Sequence, residues 1–237
     1  MPKNVKTTTF FNPLDLIAPH SCRGCGKIGT ILCERCKNYI LERNFYNKCP
    51  NCKAPLPPSP SSAAHICPHC TNLPPFYTIG TRTGLLAVLI HDYKYSSVRA
   101  ATKPLASLMA SRLSADLSSS THIVPLPTST AHIRARGFDH IALIARRLSR
   151  ELHFTYSPIL DRAKNTVQVG ADKSTRLSQA ASAYALRPST KIAQDAVYVL
   201  LDDVWTTGAS MLAATSLLRS AGIKNIHIAL LSISDNA

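Results

Sequence analysis

The stretch from Tyr198 to Ser210 places the strongest constraint on the fold of this 237-residue chain. It opens with four β-favouring residues, continues with the adjacent acids Asp202 and Asp203, and then turns through Thr, Gly and Ser. The apolar residues that follow recur at helical spacing as far as Gly222. The sequence therefore predicts a buried strand, a loop and a helix, in that order.

The predicted loop has the chemistry of a phosphate-binding site. Its backbone N–H groups lie where a helix begins, Gly208 permits close approach of a ligand, and three hydroxyl side chains add donors. Because a carboxylate repels phosphate, we expect Asp202 and Asp203 to accept hydrogen bonds from sugar hydroxyls or to hold a hydrated Mg²⁺. The loop suits a phosphorylated sugar with a metal; the alternative is a solvated strand end and an ordinary helix cap.

All eight cysteines lie in four Cys-x2-Cys knuckles near the N-terminus. Two thiolates on one tight turn converge on one metal, and two such turns complete a tetrahedral zinc site. We therefore expect structural zinc, with two ions if all eight thiolates bind, in place of disulfides. The spacing allows sequential and interleaved pairing of the knuckles. The expected ligands are Cys22, Cys25, Cys33, Cys36, Cys49, Cys52, Cys67 and Cys70.

A Pro-Pro pair marks the predicted boundary between a Cys-rich zinc-binding domain, residues 1–75, and a second domain, residues 76–237. Strand and helix patterns alternate in the second domain, which predicts an α/β fold with a parallel sheet. Ligands bind such sheets at the carboxyl edge of the strands. One predicted strand ends there at Pro125.

Three basic residues are candidate ligand contacts. Arg134 and Arg136 precede the next predicted helix, so we expect them to reach a phosphate at the carboxyl edge of the sheet. Lys94 stands between two tyrosines. It is expected either to meet a phosphate or a base, or to lie on a strand surface.

The net charge of +14 favours polyanionic partners such as nucleic acid or a pyrophosphate compound, with plain solubility as the alternative. Arg146, Arg147 and Arg150 share one predicted helix face, which is either solvated or in contact with nucleic acid. No long apolar run and no signal-peptide pattern is present, so we expect a cytoplasmic protein without a membrane span.

The motif blocks, in this order, resemble the ComF family of competence-type phosphoribosyltransferase-like proteins. The blocks are the four knuckles, Leu-Ile-His-Asp-Tyr-Lys-Tyr at 89–95, Val-Pro-Leu-Pro at 124–127, Arg-Ala-Arg-Gly-Phe-Asp-His at 134–140, and Leu-Asp-Asp-Val-Trp-Thr-Thr-Gly-Ala-Ser at 201–210. The resemblance implies a type I phosphoribosyltransferase-like parallel sheet flanked by helices, which binds phosphoribosyl pyrophosphate (PRPP) with Mg²⁺. The residues expected to bind PRPP are Asp202, Asp203, Thr206, Thr207, Gly208, Ala209, Ser210, Arg134, Arg136 and Pro125.

The resemblance also implies a role in natural competence. The protein would handle single-stranded DNA at the cytoplasmic side of the DNA-uptake complex, beside a helicase-like ATPase. The alternative is an active phosphoribosyltransferase that acts on an unknown nucleobase or other acceptor.

Several positions depart from the family pattern. Asp139 and His140 stand where Asn-Gln is common, and the family's Arg-x2-Asn pair appears as Arg176 and Gln179. Trp205 replaces a small aliphatic residue. The indole either narrows the ribose site, offers a stacking surface or packs beneath the loop. Thr206 stands where related purine enzymes carry an acidic general base, so the sequence supplies no obvious base and leaves catalysis open.

Overall fold

A computed structural model describes residues 20–57, 63–96, 98–113, 117–163 and 183–234. The polar, basic segment from Asp161 to Arg176 has the composition of a surface loop that could close over a ligand, and residues 164–176 of it lie outside the described part of the chain. In chain order the helices and strands are α1 Glu34–Arg43, β1 Phe76–Thr78, α2 Gly84–Tyr95, a 3₁₀ turn Arg99–Ala101, α3 Thr102–Leu113, β2 His122–Pro125, α4 Thr130–Arg136, α5 His140–Leu152, β3 Thr155–Tyr156, β4 Leu160–Arg162, β5 Tyr184–Leu186, β6 Tyr198–Trp205, α6 Ala209–Ser220 and β7 Ile226–Ile233.

The central sheet has five parallel strands in the order β1-β7-β6-β2-β3. Strand β6 lies in the middle, where Leu201 pairs with Pro125 on one side and with Ala229 on the other. Strands β4 and β5 form a separate antiparallel pair. The predicted parallel sheet flanked by helices is confirmed.

Both faces of the sheet are buried, and strand β6 contributes to each. Val199 and Leu201 pack in the cluster that includes α2, α3 and α5, whereas Tyr198 and Leu200 pack in the cluster that includes α6. Successive side chains on a strand point to opposite faces. The adjacent residues Asp202 and Asp203 therefore project to different sides of the sheet.

Strand β6 is longer than its apolar run predicts, because β7 pairs with it as far as Trp205. The acid pair thus belongs to the strand and has its backbone fixed by the sheet. Lys94 lies in the last turn of helix α2, so its expected place on a strand surface is wrong.

Arg134 and Arg136 precede helix α5, as expected, but the segment that carries them forms a short helix of its own, α4, that the sequence analysis did not predict. The side chain of Ser129 accepts a hydrogen bond from the backbone N–H of His132 and begins this helix. Gly137 ends it in the left-handed conformation, with a φ of 76°.

The Cys-rich region packs directly on the α/β region. Cys36 and Ile40 lie in the same apolar cluster as Leu86 and Leu89 of α2. The side chain of Asn44 donates to the carbonyl of Thr81 and accepts from its N–H. The division at residue 75 stays a prediction.

Candidate functional site

The acid pair lies at the carboxyl end of β6, and its two members have different surroundings. Asp203 is 8% exposed, and its Oδ2 lies 2.7 Å from Lys94 Nζ and 2.6 Å from His140 Nε2. Oδ1 of Asp202 accepts the backbone N–H of Asp203 at 2.8 Å. Asp203 is thus bound to two basic side chains, whereas Asp202 is held by a backbone group, and both acids line the same cavity.

The two basic partners of Asp203 come from helix ends. Lys94 lies in the last turn of α2, and His140 is the first residue of α5. Helix α5 begins there because the side chain of Asp139 accepts the N–H of Ala142. The packing of α2 and α5 on one face of the sheet brings both side chains to Asp203.

His140 connects Asp203 to a further cation, Arg136. A guanidinium N–H of Arg136 lies 2.9 Å from Nδ1 of His140. Because a guanidinium only donates, Nδ1 acts as the acceptor and the ring proton is assigned to Nε2, which donates to Asp203. Lys94, Asp203, His140 and Arg136 therefore form one continuous chain of polar contacts.

These surroundings push the two carboxyl pKa values apart. Although burial opposes its ionisation, the hydrogen bond from His140 and the charge of Lys94 hold the pKa of Asp203 well below its usual range. Burial and the negative charge of Asp203 raise the pKa of Asp202 to about 8. Asp203 is thus the permanently ionised member, and Asp202 gains a charge only above neutral pH or beside an added cation.

A cavity of about 390 Å³ opens beside the acid pair. Arg162 and Tyr184 from the antiparallel pair β4–β5 form part of its wall, and Tyr95 stands exposed at its side. The side chains of these residues offer guanidinium and phenol groups opposite the two carboxylates. The cavity is therefore suited to a ligand that carries both hydroxyls and negative charge.

The loop after β6 surrounds a smaller space of about 50 Å³ that shares Asp202 and Ser210 with the larger cavity. Its lining includes Thr206, Thr207, Gly208 and Ala209. The backbone N–H groups at the start of the 12-residue helix α6 lie here, so the loop has the position expected for an anion site.

Trp205 is 2% exposed and lies beneath this loop. Gly208 adopts a φ of 75°, and a methyl group at Gly208 would overlap the benzene ring of the indole. Of the three alternatives for Trp205, the structure shows that it packs beneath the loop. The glycine is required both by the left-handed backbone and by contact with the ring.

The structure separates the remaining residues expected to bind PRPP. Arg136 lines the 390 Å³ cavity, whereas Pro125 lines a neighbouring cavity of about 590 Å³. Arg134 is exposed on α4 and lines neither of the two. The two arginines differ because residues two apart on a helix do not share a face.

Sequence reasoning did not propose His140, Arg162 or Tyr184 as site residues. His140 had a signal, since it stands where the related motif carries Gln. Arg162 and Tyr184 belong to short strands whose position over the site depends on pairing between distant segments. Tyr184 had a signal as well, because Ala183-Tyr184 is a further block that resembles the ComF family, whereas the surroundings of Arg162 carry no comparable signal.

The eight cysteines form two separate groups of four, each with its sulfur atoms within 4.8 Å of one another. The first group contains knuckles one and two and the second contains knuckles three and four, so the pairing is sequential. The Sγ atoms of Cys25 and Cys33 lie 3.6 Å apart, as do those of Cys52 and Cys67. Sulfurs bound tetrahedrally to one zinc lie about 3.8 Å apart, so each group fits a zinc ion.

Whereas burial raises the pKa of Cys36 and of Cys49 to about 12, backbone donors favour the thiolate form of at least one cysteine in each group. Although burial opposes it, hydrogen bonds from backbone N–H groups lower the pKa of Cys22 to about 6. The backbone N–H of Ala54 is the main cause that lowers the pKa of Cys52 to about 7. Thiolates are the form that binds zinc.

Residues 133–236 match the family model of the phosphoribosyl transferase domain. Together with the parallel sheet and the acid pair at its carboxyl edge, this match defines a phosphoribosyltransferase-type α/β domain. The chain is also 26% identical over 210 residues to Competence protein F of Haemophilus influenzae, covering 83% of this chain and 88% of that protein. The resemblance predicted from the motifs is confirmed: the chain contains a phosphoribosyltransferase-type domain and is similar over most of its length to Competence protein F.

No helix within the described part of the chain is both long and apolar enough to cross a membrane.

Proposed function

We propose that the 390 Å³ cavity and the adjoining loop bind PRPP together with Mg²⁺. The observation that carries this proposal is that the two spaces share Asp202 and Ser210 in their linings. A ligand that fills both spaces meets backbone N–H donors at one end and carboxylates at the other. A phosphate attached to a ribose has this distribution of acceptors and hydroxyls.

Each part of the site takes one part of this ligand. The loop from Thr206 to Ser210 receives the 5-phosphate through backbone N–H groups and hydroxyls. Asp202 and Asp203 accept the ribose hydroxyls, and Arg136 faces the pyrophosphate as a donor of paired hydrogen bonds. Arg134 and Pro125 are assigned a weaker part, because they lie away from the cavity.

The carboxylate oxygens of the acid pair can supply some of the ligands that Mg²⁺ requires. Mg²⁺ prefers oxygen ligands and keeps several waters, so one carboxylate and the ligand's phosphate oxygens are sufficient. Bound in this way, the metal supplies positive charge that stabilises the pyrophosphate as it accumulates negative charge. Both acids line the cavity, and Asp202 is the one without a cationic partner among the described ion pairs.

Isothermal titration with PRPP and Mg²⁺ tests this proposal. The Asp202→Asn/Asp203→Asn double variant should bind PRPP at least about tenfold more weakly for each residue replaced, since each charge-assisted hydrogen bond contributes about 1.5–3 kcal/mol. Thr207→Ala removes a neutral hydroxyl while the backbone donors remain, so about 0.5–1.5 kcal/mol is expected. Asp195→Asn, at an exposed carboxylate, is the matched control and should leave binding unchanged.

Unchanged binding in the folded double variant would refute the phosphoribosyl assignment of this site. Ribose 5-phosphate serves as a second ligand in the same titration. Because it lacks the pyrophosphate, it should bind more weakly than PRPP and should depend less on Arg136.

We also propose that the protein acts in natural competence by handling single-stranded DNA. Arg146 and Arg150 line a groove with Phe154 and Tyr156, and the guanidinium of Arg146 lies 5.1 Å from the ring centroid of Tyr156. Cations beside aromatic rings suit the phosphates and bases of a single strand. The name of the similar Haemophilus influenzae protein supports a competence role.

A salt series with a fluorescent oligonucleotide tests the DNA proposal. Affinity should fall linearly with the logarithm of salt concentration, and Arg146→Glu/Arg150→Glu should weaken binding of all sequences alike. Arg147 pairs with Glu151 at 3.6 Å, so Arg147→Glu should have a smaller effect. Lys224→Glu provides an exposed charge-reversal control. Absence of binding at low salt would remove DNA as a partner.

Catalysis of phosphoribosyl transfer is the alternative function. Thr206 lacks the carboxylate that a base in the loop would require, so we expect PRPP binding without release of pyrophosphate when no acceptor is present. Pyrophosphate release on addition of a nucleobase would favour the enzyme.

A further inference from the structure

Lys94 places a positive charge where an acid pair would otherwise attract a metal ion. Its Nζ lies 2.7 Å from Oδ2 of Asp203, and the two side chains are only 13% and 11% exposed. The same oxygen also accepts His140 Nε2 at 2.6 Å. A carboxylate oxygen has about two lone-pair sites, so these two donors fill the accepting positions of Oδ2.

The position of Lys94 is fixed by the residues that precede it on α2. The hydroxyl of Tyr93, which is fully buried, donates to the carbonyl of His140 at 2.8 Å. The carboxylate of Asp92 pairs with Arg23 at 2.6 Å. The end of α2 is thereby attached to the start of α5 and to the first cysteine knuckle, which fixes the backbone of Lys94 close to Asp203.

We infer that Lys94 is the resident cation of the acid pair and a positioning residue for Asp203. It keeps Asp203 ionised and oriented beside the cavity, and it leaves Asp202 and the ligand's own oxygens as the places for Mg²⁺. The part of this inference that concerns ligand binding rests on the proposed PRPP function. For the relation between Lys94 and Asp203, it stands on the geometry alone.

The net charge of the cavity lining predicts how the affinities for an anion and for a metal cation change when Lys94 is removed. Even when Asp202 and Asp203 are both ionised, the cations Lys94, Arg136 and Arg162 leave the lining with a net positive charge. Removal of Lys94 makes the site less favourable to an anionic ligand and frees an acceptor oxygen on Asp203. The same change should therefore weaken PRPP binding and strengthen binding of a divalent cation.

The first experiment measures Mn²⁺ binding to the zinc-loaded, ligand-free protein by electron paramagnetic resonance. Lys94→Met keeps most of the length of the side chain and removes its charge, so it should bind Mn²⁺ on the order of tenfold more tightly than the wild type. Adding Asp203→Asn to that variant should abolish the gain. Lys224→Met is the matched control and should behave as the wild type. Unchanged Mn²⁺ affinity in Lys94→Met would overturn the inference whether or not PRPP binds.

The second experiment titrates PRPP with saturating Mg²⁺ and without added Mg²⁺. Lys94→Met should lose at least about tenfold in affinity without the metal and less with it, because the metal replaces part of the missing charge. Lys94→Arg should retain most of the affinity, whereas a residue that only supports the fold would show equal losses in both conditions. Equal losses would overturn the inference.

The two experiments separate the inference from the proposed function. Failure of the wild type to bind PRPP would refute the proposed function and leave the Mn²⁺ comparison to decide the role of Lys94. Lys94→Gln, which retains a polar side chain, replaces Lys94→Met in both measurements if the latter does not fold.

Discussion

The contact between Gly208 and Trp205 allows one prediction to be worked out in detail. Gly208 lies at a φ of 75°, and an added methyl group would overlap the indole ring beneath it. Gly208→Ala therefore meets two separate obstacles, one in the backbone and one in the side-chain contact. An alanine in the left-handed conformation costs about 1–2 kcal/mol.

The steric part adds to this backbone part. Inserting a methyl group into a well-packed site costs about 1–3 kcal/mol, so we expect Gly208→Ala to destabilise the fold by about 2–5 kcal/mol in all. A chain of this size loses about 2–4 °C in melting temperature per kcal/mol. The displaced loop should also bind PRPP less tightly.

Gly222 offers a control with the same backbone conformation and no steric conflict. Its φ is 90°, and a methyl group there would meet nothing within 4 Å. Gly222→Ala should therefore cost only the backbone part, about 1–2 kcal/mol. The difference between the two variants measures the contact with the indole.

Urea unfolding followed by tryptophan emission gives the readout. Trp205 is the only tryptophan of the chain, so the emission reports on the ring beneath the loop. Gly208→Ala should shift the native emission to longer wavelength, whereas Gly222→Ala should not. In a Trp205→Leu background, monitored by circular dichroism, Gly208→Ala should cost no more than Gly222→Ala. Equal destabilisation of the two glycine variants in the wild-type background would refute the reasoning.

Three further predictions concern the metal groups and the acid pair. The protein should carry two zinc ions by atomic absorption. The Cys22→Ser/Cys33→Ser variant should retain one ion, because both cysteines belong to the same group. Loss of both ions would contradict sequential pairing. Burial raises the pKa of Asp202 to about 8. Between about pH 4 and pH 8 the folded protein therefore keeps a proton that the unfolded chain releases. The stability that this group contributes falls as the pH rises through that range. Asp202→Asn should accordingly exceed the wild type in urea stability at pH 8 and match it at pH 4, and the reverse order would contradict the assignment. Arg23→Ala breaks the 2.6 Å ion pair with Asp92, which should destabilise the fold by less than about 1 kcal/mol and speed zinc release to a chelator from the first group alone.

The site was predictable to the extent that its chemistry is local in sequence. The strand, the acid pair, the hydroxyl-rich turn and the following helix are contiguous, so their order and composition indicated a phosphate-binding loop. The eight cysteines likewise indicated metal binding, because two thiolates on one tight turn already face one ion. The alternation of strands and helices indicated the parallel sheet.

The tertiary structure decided how these local pieces meet. Spacing left the pairing of the knuckles open, and only the path of the chain between them brings the first two together and the last two together. Helix α4 begins at a side-chain cap that placed Arg136 in the cavity and left Arg134 exposed.

The difference between the two acids is the clearest case of this division. The sequence determined that Asp202 and Asp203 follow a buried strand, and strand geometry alone turns them to opposite faces. Which of them carries a permanent charge depends on Lys94 and on His140, which lies 63 residues before Asp203 and meets it through helix packing. Because a pKa responds to every charge and dipole within a few ångströms, whatever its distance along the chain, the roles of the two acids were fixed only by the tertiary structure.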